Sequence, residues 1–137
     1  MNIDNRDIFE QIGNAFYAVA ADQHVKPLEV GELKLLISND WLPRTTAGNE
    51  ALVSDEAHSI IMAIDSLQTA QTKSNDAFKE FASFYHKHPD VFSNDLKERI
   101  VKTARDIVKI FKADNRKPNR HLEALKNLFQ LQKQITL

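Results

Sequence analysis

Residues 16–36, FYAVAADQHVKPLEVGELKLL, hold a helix end, a short acidic connection and a helix start, and a degenerate copy returns at residues 107–128 as IVKIFKADNRKPNRHLEALKNL. Shifting the chain by 92 positions places Ala21 and Asp22 on Ala113 and Asp114, Val30 on Leu122, Leu33 on Leu125, Lys34 on Lys126 and Leu36 on Leu128. A chain that builds one helix–Asp-turn–helix hairpin twice has few folds open to it, because each hairpin alone leaves its apolar face uncovered. Two such hairpins flanking a central pair of helices are expected to form a pseudo-symmetric bundle.

The hydrophobic spacing supports helices throughout. Ile8, Phe9, Ile12, Phe16 and Val19 recur at helical intervals with Ala15, Ala18 and Ala20 between them, which predicts a helix from about Asp4 to Ala21. Asp22-Gln23-His24 breaks that pattern. Pro27 suits the first turn of a second helix reaching about Asn39, with Glu29 near its positive end and Val30, Leu33, Leu36 and Ile37 on its apolar side. Trp41-Leu42-Pro43 stops it, since a residue before Pro is pushed out of the α region, and residues 43–53 read as a loop. Ser54 is placed to cap a third helix carrying Ile60, Ile61, Ile64 and Leu67, and Ser74 a fourth carrying Phe78, Phe81, Phe84 and Tyr85. Ser93 opens a fifth with Leu96, Ile100, Ala104, Ile107, Val108 and Phe111; Asp114-Asn115 ends it. Asn119 then caps a last helix with Leu122, Leu125, Leu128, Phe129 and Leu131. No stretch alternates like a strand, so the fold class is all-α: a single-domain bundle of about six helices spanning 1–137.

Composition narrows the functional classes. The 137 residues are 42% hydrophobic and 27% charged with three Gly and four Pro, the profile of a helix-rich globular chain. No cysteine is present, which excludes disulfides, thiolate metal sites and a cysteine nucleophile. The first residues, MNIDNRDIFEQIG, lack the basic and apolar regions of a secretion signal, and no apolar run reaches membrane-span length. A cytoplasmic location is the expectation. Charge is uneven: residues 1–93 hold 7 Lys or Arg against 14 Asp or Glu, and residues 94–137 hold 11 against 5. That asymmetry describes either a basic surface for an acidic partner or two halves of one molecule that attract each other.

At AVAADQHVKPLE the chain resembles the TerB-like family, named for tellurite resistance, whose members carry an Ala-rich helix, an Asp-Gly turn and a Glu opening the next helix. The likeness extends through WLP, FKEFASFYHKHPDVF and the second hairpin. It implies an all-helical fold and, as in some members, turn carboxylates that bind a divalent cation. Carried onto this chain, that metal site falls on Asp22, Glu29 and Asp114. Gln23 and Asn115 stand where the family has its turn Gly, and His121 where it has its second Glu. Carboxylate oxygens suit Ca²⁺ or Mg²⁺, but three acidic groups fall short of the six or more oxygens Ca²⁺ takes, so helix termination and dipole stabilisation are the competing roles of the same residues.

Other metal patterns fail on their ligands. A calcium loop starting at Asp65 would place Leu67, Thr69 and Gln71 at ligand positions, Ala70 where Gly is needed and Asp76 where the bidentate Glu belongs. His86 and His88 point to different sides of a helix, and His24, His58 and His121 follow no zinc spacing. No nucleophile–base pairing, phosphate loop or dinucleotide fingerprint occurs, so a non-enzymatic role is expected.

The sharpest hint from residues alone is basic. Lys102, Arg105, Lys109, Lys112 and Arg116 step by three and four along the fifth helix, opposite Ile100, Ala104, Ile107, Val108 and Phe111. Such a ridge serves a partner, or it is the solvated face of an amphipathic helix, interrupted by Asp106. The absence of a recognition motif and a net charge of −1 argue against nucleic acid. The expectation is a TerB-like interaction or stress-response module that works through a protein partner or homo-oligomer, with a metal-responsive module as the alternative.

Overall fold

The computed structural model describes residues 5–22, 30–41, 55–110 and 119–134. Six α-helices are formed among them: α1 Asn5–Asp22, α2 Val30–Asp40, α3 Asp55–Thr69, α4 Ser74–Lys87, α5 Asn94–Ile110 and α6 Arg120–Gln134, with a 3₁₀ turn Pro89–Val91 between α4 and α5. No strand occurs among the described residues, and no helix there is long and apolar enough to cross a membrane. The chain is an all-α bundle. Asp22 is the last residue of α1.

α1 occupies the middle, touching α3, α4, α5 and α6, while α2 lies on α3 and α5. The sequence suggested a central pair between two hairpins; the centre goes to α1 because its small residues admit neighbours on several sides. Ile12, Ala15, Phe16, Ala18 and Val19 are fully buried. At Gly13 a Cβ would stand 2.7 Å from the Ala63 Cβ and 2.9 Å from the Ile60 carbonyl oxygen, so the α1–α3 crossing is as close as it is only because that atom is missing.

Caps and turns fix the helix ends. Ser93 Oγ accepts the Leu96 N–H at 3.1 Å, and Asn119 Oδ1 accepts both the His121 and Leu122 N–H groups at 3.1 and 3.0 Å. Ser74 does not cap α4: Lys73 takes that position with no side-chain bond, and Ser74 is already helical. α3 closes through Gln71, whose φ of 55° lies in the left-handed region. The Thr72 N–H reaches the Leu67 carbonyl and the Gln71 N–H the Gln68 carbonyl, which is the helix-ending motif that glycine ordinarily serves. Tyr17 donates to the Thr72 carbonyl at 2.6 Å and pins this turn to α1; burial raises the Tyr17 pKa. Ser54, Pro27 and residues 43–53 lie outside the described residues.

The aromatic residues are core. Phe81, Tyr85, Phe92 and Phe129 are buried and meet largely edge to face, with Phe81–Phe92 centroids 5.7 Å apart at 82° and Tyr85–Phe129 centroids 5.3 Å apart at 63°. Trp41 is fully buried too, against Phe9 and Phe16, so the tryptophan after α2 is an anchor rather than a binding patch.

Candidate functional site

α5 divides sharply by face. Ile100, Thr103, Ala104 and Ile107 are buried, whereas Lys102, Arg105 and Lys109 are exposed. The basic ridge inferred from spacing is therefore at the surface over its described part; Lys112 and Arg116 lie outside the described residues. The structure adds an acidic half that the sequence reading passed over. Asp95 and Glu98 continue the three-and-four spacing backwards from Lys102, and both are exposed. The single ridge thus runs Asp95, Glu98, Lys102, Arg105, Lys109, negative at the helix start and positive at its end. That polarity also suits the helix dipole. The signal was present in the spacing, had acidic residues been included in it.

Lys102 is the junction. Its Nζ lies 2.8 Å from Asp106 Oδ2, one turn on, and 3.7 Å from Asp40 Oδ1 at the end of α2, yet its side chain remains 66% exposed. The hydrogen bond to Asp106 raises the Lys102 pKa. Asp106, which the sequence reading took as an interruption, instead tethers the ridge. Around this point a polar knot ties α2 to α5. Trp41 Nε1 donates to Thr103 Oγ1 at 3.0 Å, and Arg99 stacks on the Trp41 ring at 4.3 Å. Arg99 also donates to the Asp40 carbonyl at 3.4 Å, serving one of the orphan acceptors at the end of α2, and pairs with Glu56 of α3 at 3.6 Å.

The two carboxylates here are unequal. Burial raises the Asp40 carboxyl above its ordinary value, and the neighbouring Asp106 adds to this more than Lys102 and Thr103 offset it. Burial alone would raise Asp106 as well, but hydrogen bonds with Lys102 and Asp40 and the charges of Lys102 and Lys109 hold it below the usual range. Of the pair, Asp40 keeps its proton to the higher pH. Asp40 Oδ2 is buried and meets no hydrogen-bond donor among the described residues. The Lys102–Asp40 and Arg99–Glu56 pairs join cations of the basic C-terminal part to carboxylates of the acidic N-terminal part, so some of the charge asymmetry is spent inside the molecule.

The turn carboxylates stand differently. Asp22 is the last residue of α1, and its side chain, Glu29 and Asp114 lie outside the described residues. Among the described residues no group of three His, Cys, Asp or Glu side chains could hold a metal ion. The close of α1 and the start of α6 do meet: Asn119 Nδ2 donates to the Val19 carbonyl at 2.9 Å, across 100 residues. A hollow of about 790 Å³ lies between α1 and α3 and mixes Arg6, Glu10, Asp55, Glu56 and His58 with Phe9 and Met62.

Fold and site together define an all-α bundle that presents one charge-polarised helix face. Set against known proteins, the chain matches no family model, no curated protein and no solved structure.

Proposed function

We propose that this chain is a non-enzymatic helical interaction module of TerB-like, stress-response type, acting through a protein partner or by self-association, with the exposed face of α5 as its contact surface. The observation that carries this reading is the ridge itself: five charged side chains in register on a helix whose opposite face is locked into the core. A helix so fixed presents its charges without having to order its backbone on binding. The TerB-like component rests on the repeated hairpin and on Asp22 standing at the end of α1.

The test is charge reversal. Arg105→Glu with Lys109→Glu is expected to abolish partner capture or shift the oligomeric state while the helical circular dichroism is retained. If neither capture nor oligomeric state moves, the contact surface has been misassigned.

The Asn119–Val19 bond favours a second reading, a divalent-metal-responsive module, because it joins the close of α1, which Asp22 ends, to the start of α6. Calorimetric titration with Ca²⁺, Mg²⁺, Mn²⁺ and Zn²⁺ on the wild type and Asp22→Asn decides it. Heat that Asp22→Asn removes supports a turn site; no heat, or heat that survives the substitution, rejects it.

A further inference from the structure

The order of charges along α5 selects among partners. A surface of one sign, whether an anionic membrane, a nucleic acid or a uniformly acidic protein, would gain Arg105 and Lys109 and at the same time confront Asp95 and Glu98 on the same line. A partner that fits the whole ridge must carry the opposite order. A second copy of this chain, turned end for end, carries it by construction.

We propose that the α5 ridge is a self-complementary, two-fold homodimer contact in which α5 packs antiparallel to α5 of a second copy, pairing Asp95 with Lys109 and Glu98 with Arg105 across the axis. This deepens the interaction-module reading and rests on it, naming the partner of the same surface. The geometry closes on one axis. At 1.5 Å per residue, the ridge from Asp95 to Lys109 is about 21 Å long, and the midpoints of the 95/109 and 98/105 pairs fall within about 1 Å of each other along the helix. One two-fold rotation therefore satisfies all four intermolecular pairs, as an isologous contact requires. Lys102 sits at that midpoint. An uncompensated lysine on a two-fold axis would face its own copy, but this one has its ammonium held by Asp106 at 2.8 Å and Asp40 at 3.7 Å, both from its own chain. The polar knot beneath the ridge thereby removes the one like-charge encounter the symmetry creates. All five ridge residues are exposed; among the described residues Asp95, Glu98 and Arg105 form no ion pair, and Lys109 acts within its own chain only through its charge on Asp106.

Sedimentation equilibrium of the full chain tests this. In low salt the apparent mass is expected to rise with concentration from 15.6 kDa toward twice that value, and to fall back as salt shortens the screening length from about 10 Å at 0.1 M to about 3 Å at 1 M. Arg105→Glu/Lys109→Glu makes the ridge wholly acidic, apart from the internally paired Lys102, and Asp95→Lys/Glu98→Lys makes it wholly basic. Each is expected to weaken self-association by at least about tenfold, since four exposed pairs are replaced by repulsions. Mixing the two is expected to restore a one-to-one complex. The combined Asp95→Lys/Glu98→Lys/Arg105→Glu/Lys109→Glu variant, which reverses the order but keeps self-complementarity, is expected to dimerise like the wild type. A wild type that stays monomeric throughout, association unchanged in either one-sign variant, masses that climb past two copies, or a combined variant that fails to associate overturns the proposal. If the wild type is monomeric and Arg105→Glu/Lys109→Glu still abolishes capture of a defined partner, the second copy is wrong and the interaction-module reading survives; if those substitutions change neither, both fall.

Discussion

Two residues hold conformations or charges that the rest of the molecule must tolerate. Gln71 sits at φ 55° to end α3, where a Cβ costs about 1 kcal/mol that glycine avoids. Gln71→Gly is expected to stabilise the chain by about 0.5–1 kcal/mol, measured by urea unfolding, because the hydrogen bonds that close the turn come from the backbone and do not depend on the side chain. Asp40 is the other. Folding raises its pKa above the unfolded value, so its favourable contribution is present below that unfolded value and is lost as pH rises through the raised one. Asp106 runs the other way: its pKa is lowered, and its contribution is lost as pH falls through the lowered value. One Asp40 oxygen is buried and meets no hydrogen-bond donor among the described residues. Asp40→Asn supplies an N–H toward Asp106 and is expected to raise stability at pH 7 by about 1 kcal/mol, with the gain shrinking in a melting series taken down toward pH 4. A gain that does not change with pH would mean that the oxygen, not its charge, is the cost.

Between elements, single atoms decide how helices meet. The α1–α3 crossing needs Gly13, so Gly13→Ala is expected to cost about 1–3 kcal/mol, because its new methyl meets the Ile60 backbone as well as Ala63. Ala63→Gly in the same chain relieves only the side-chain half of that clash, and the double variant is expected to recover only part of the loss in thermal melts. Asn119 works at both ends of a longer connection, capping two N–H groups of α6 and donating to the α1 carbonyl of Val19. Asn119→Ala removes all three bonds, and a loss of about 2–3 kcal/mol is expected, more than the roughly 1 kcal/mol of an ordinary cap. Asn119→Asp keeps the cap acceptor and loses the donor, so it separates the two functions: a stability near that of the wild type would show that the link to α1 contributes little.

For the whole molecule, a large share of the buried ring contacts lies where α4, the segment at Phe92 and α6 meet. Phe81 meets Phe78, Phe92 and Phe129 and is fully buried, so Phe81→Ala is expected to cost about 3–5 kcal/mol. Against the roughly 5–15 kcal/mol that a domain of this kind possesses, that is a large fraction, and urea unfolding followed by tryptophan fluorescence and by circular dichroism should shift together. Coincidence is expected because Trp41, the only tryptophan, lies in the same buried cluster although it follows α2.

Local pattern was enough to place the helices. Periodicity placed Ile12, Phe16, Ile60, Ile64, Ile100 and Ile107 on buried faces, and Ser93 and Asn119 at caps, because a 3.6-residue repeat and a capping oxygen are local properties that need no knowledge of neighbours. It misplaced one cap: Ser74 and Lys73 are adjacent, and only the path of the chain out of the Gln71 turn sets which of them is the first helical residue. It also showed the basic residues of α5 but not what they face. Tertiary structure alone decided that α1 takes the centre, that Asp40 of α2 meets Lys102 and Asp106 of α5, and that Thr103 rather than water receives the Trp41 N–H. The contacts between α2 and α5 join residues 62 to 66 positions apart, and which distant side chains come within a few ångströms depends on how whole helices cross, a packing solution that no local pattern encodes.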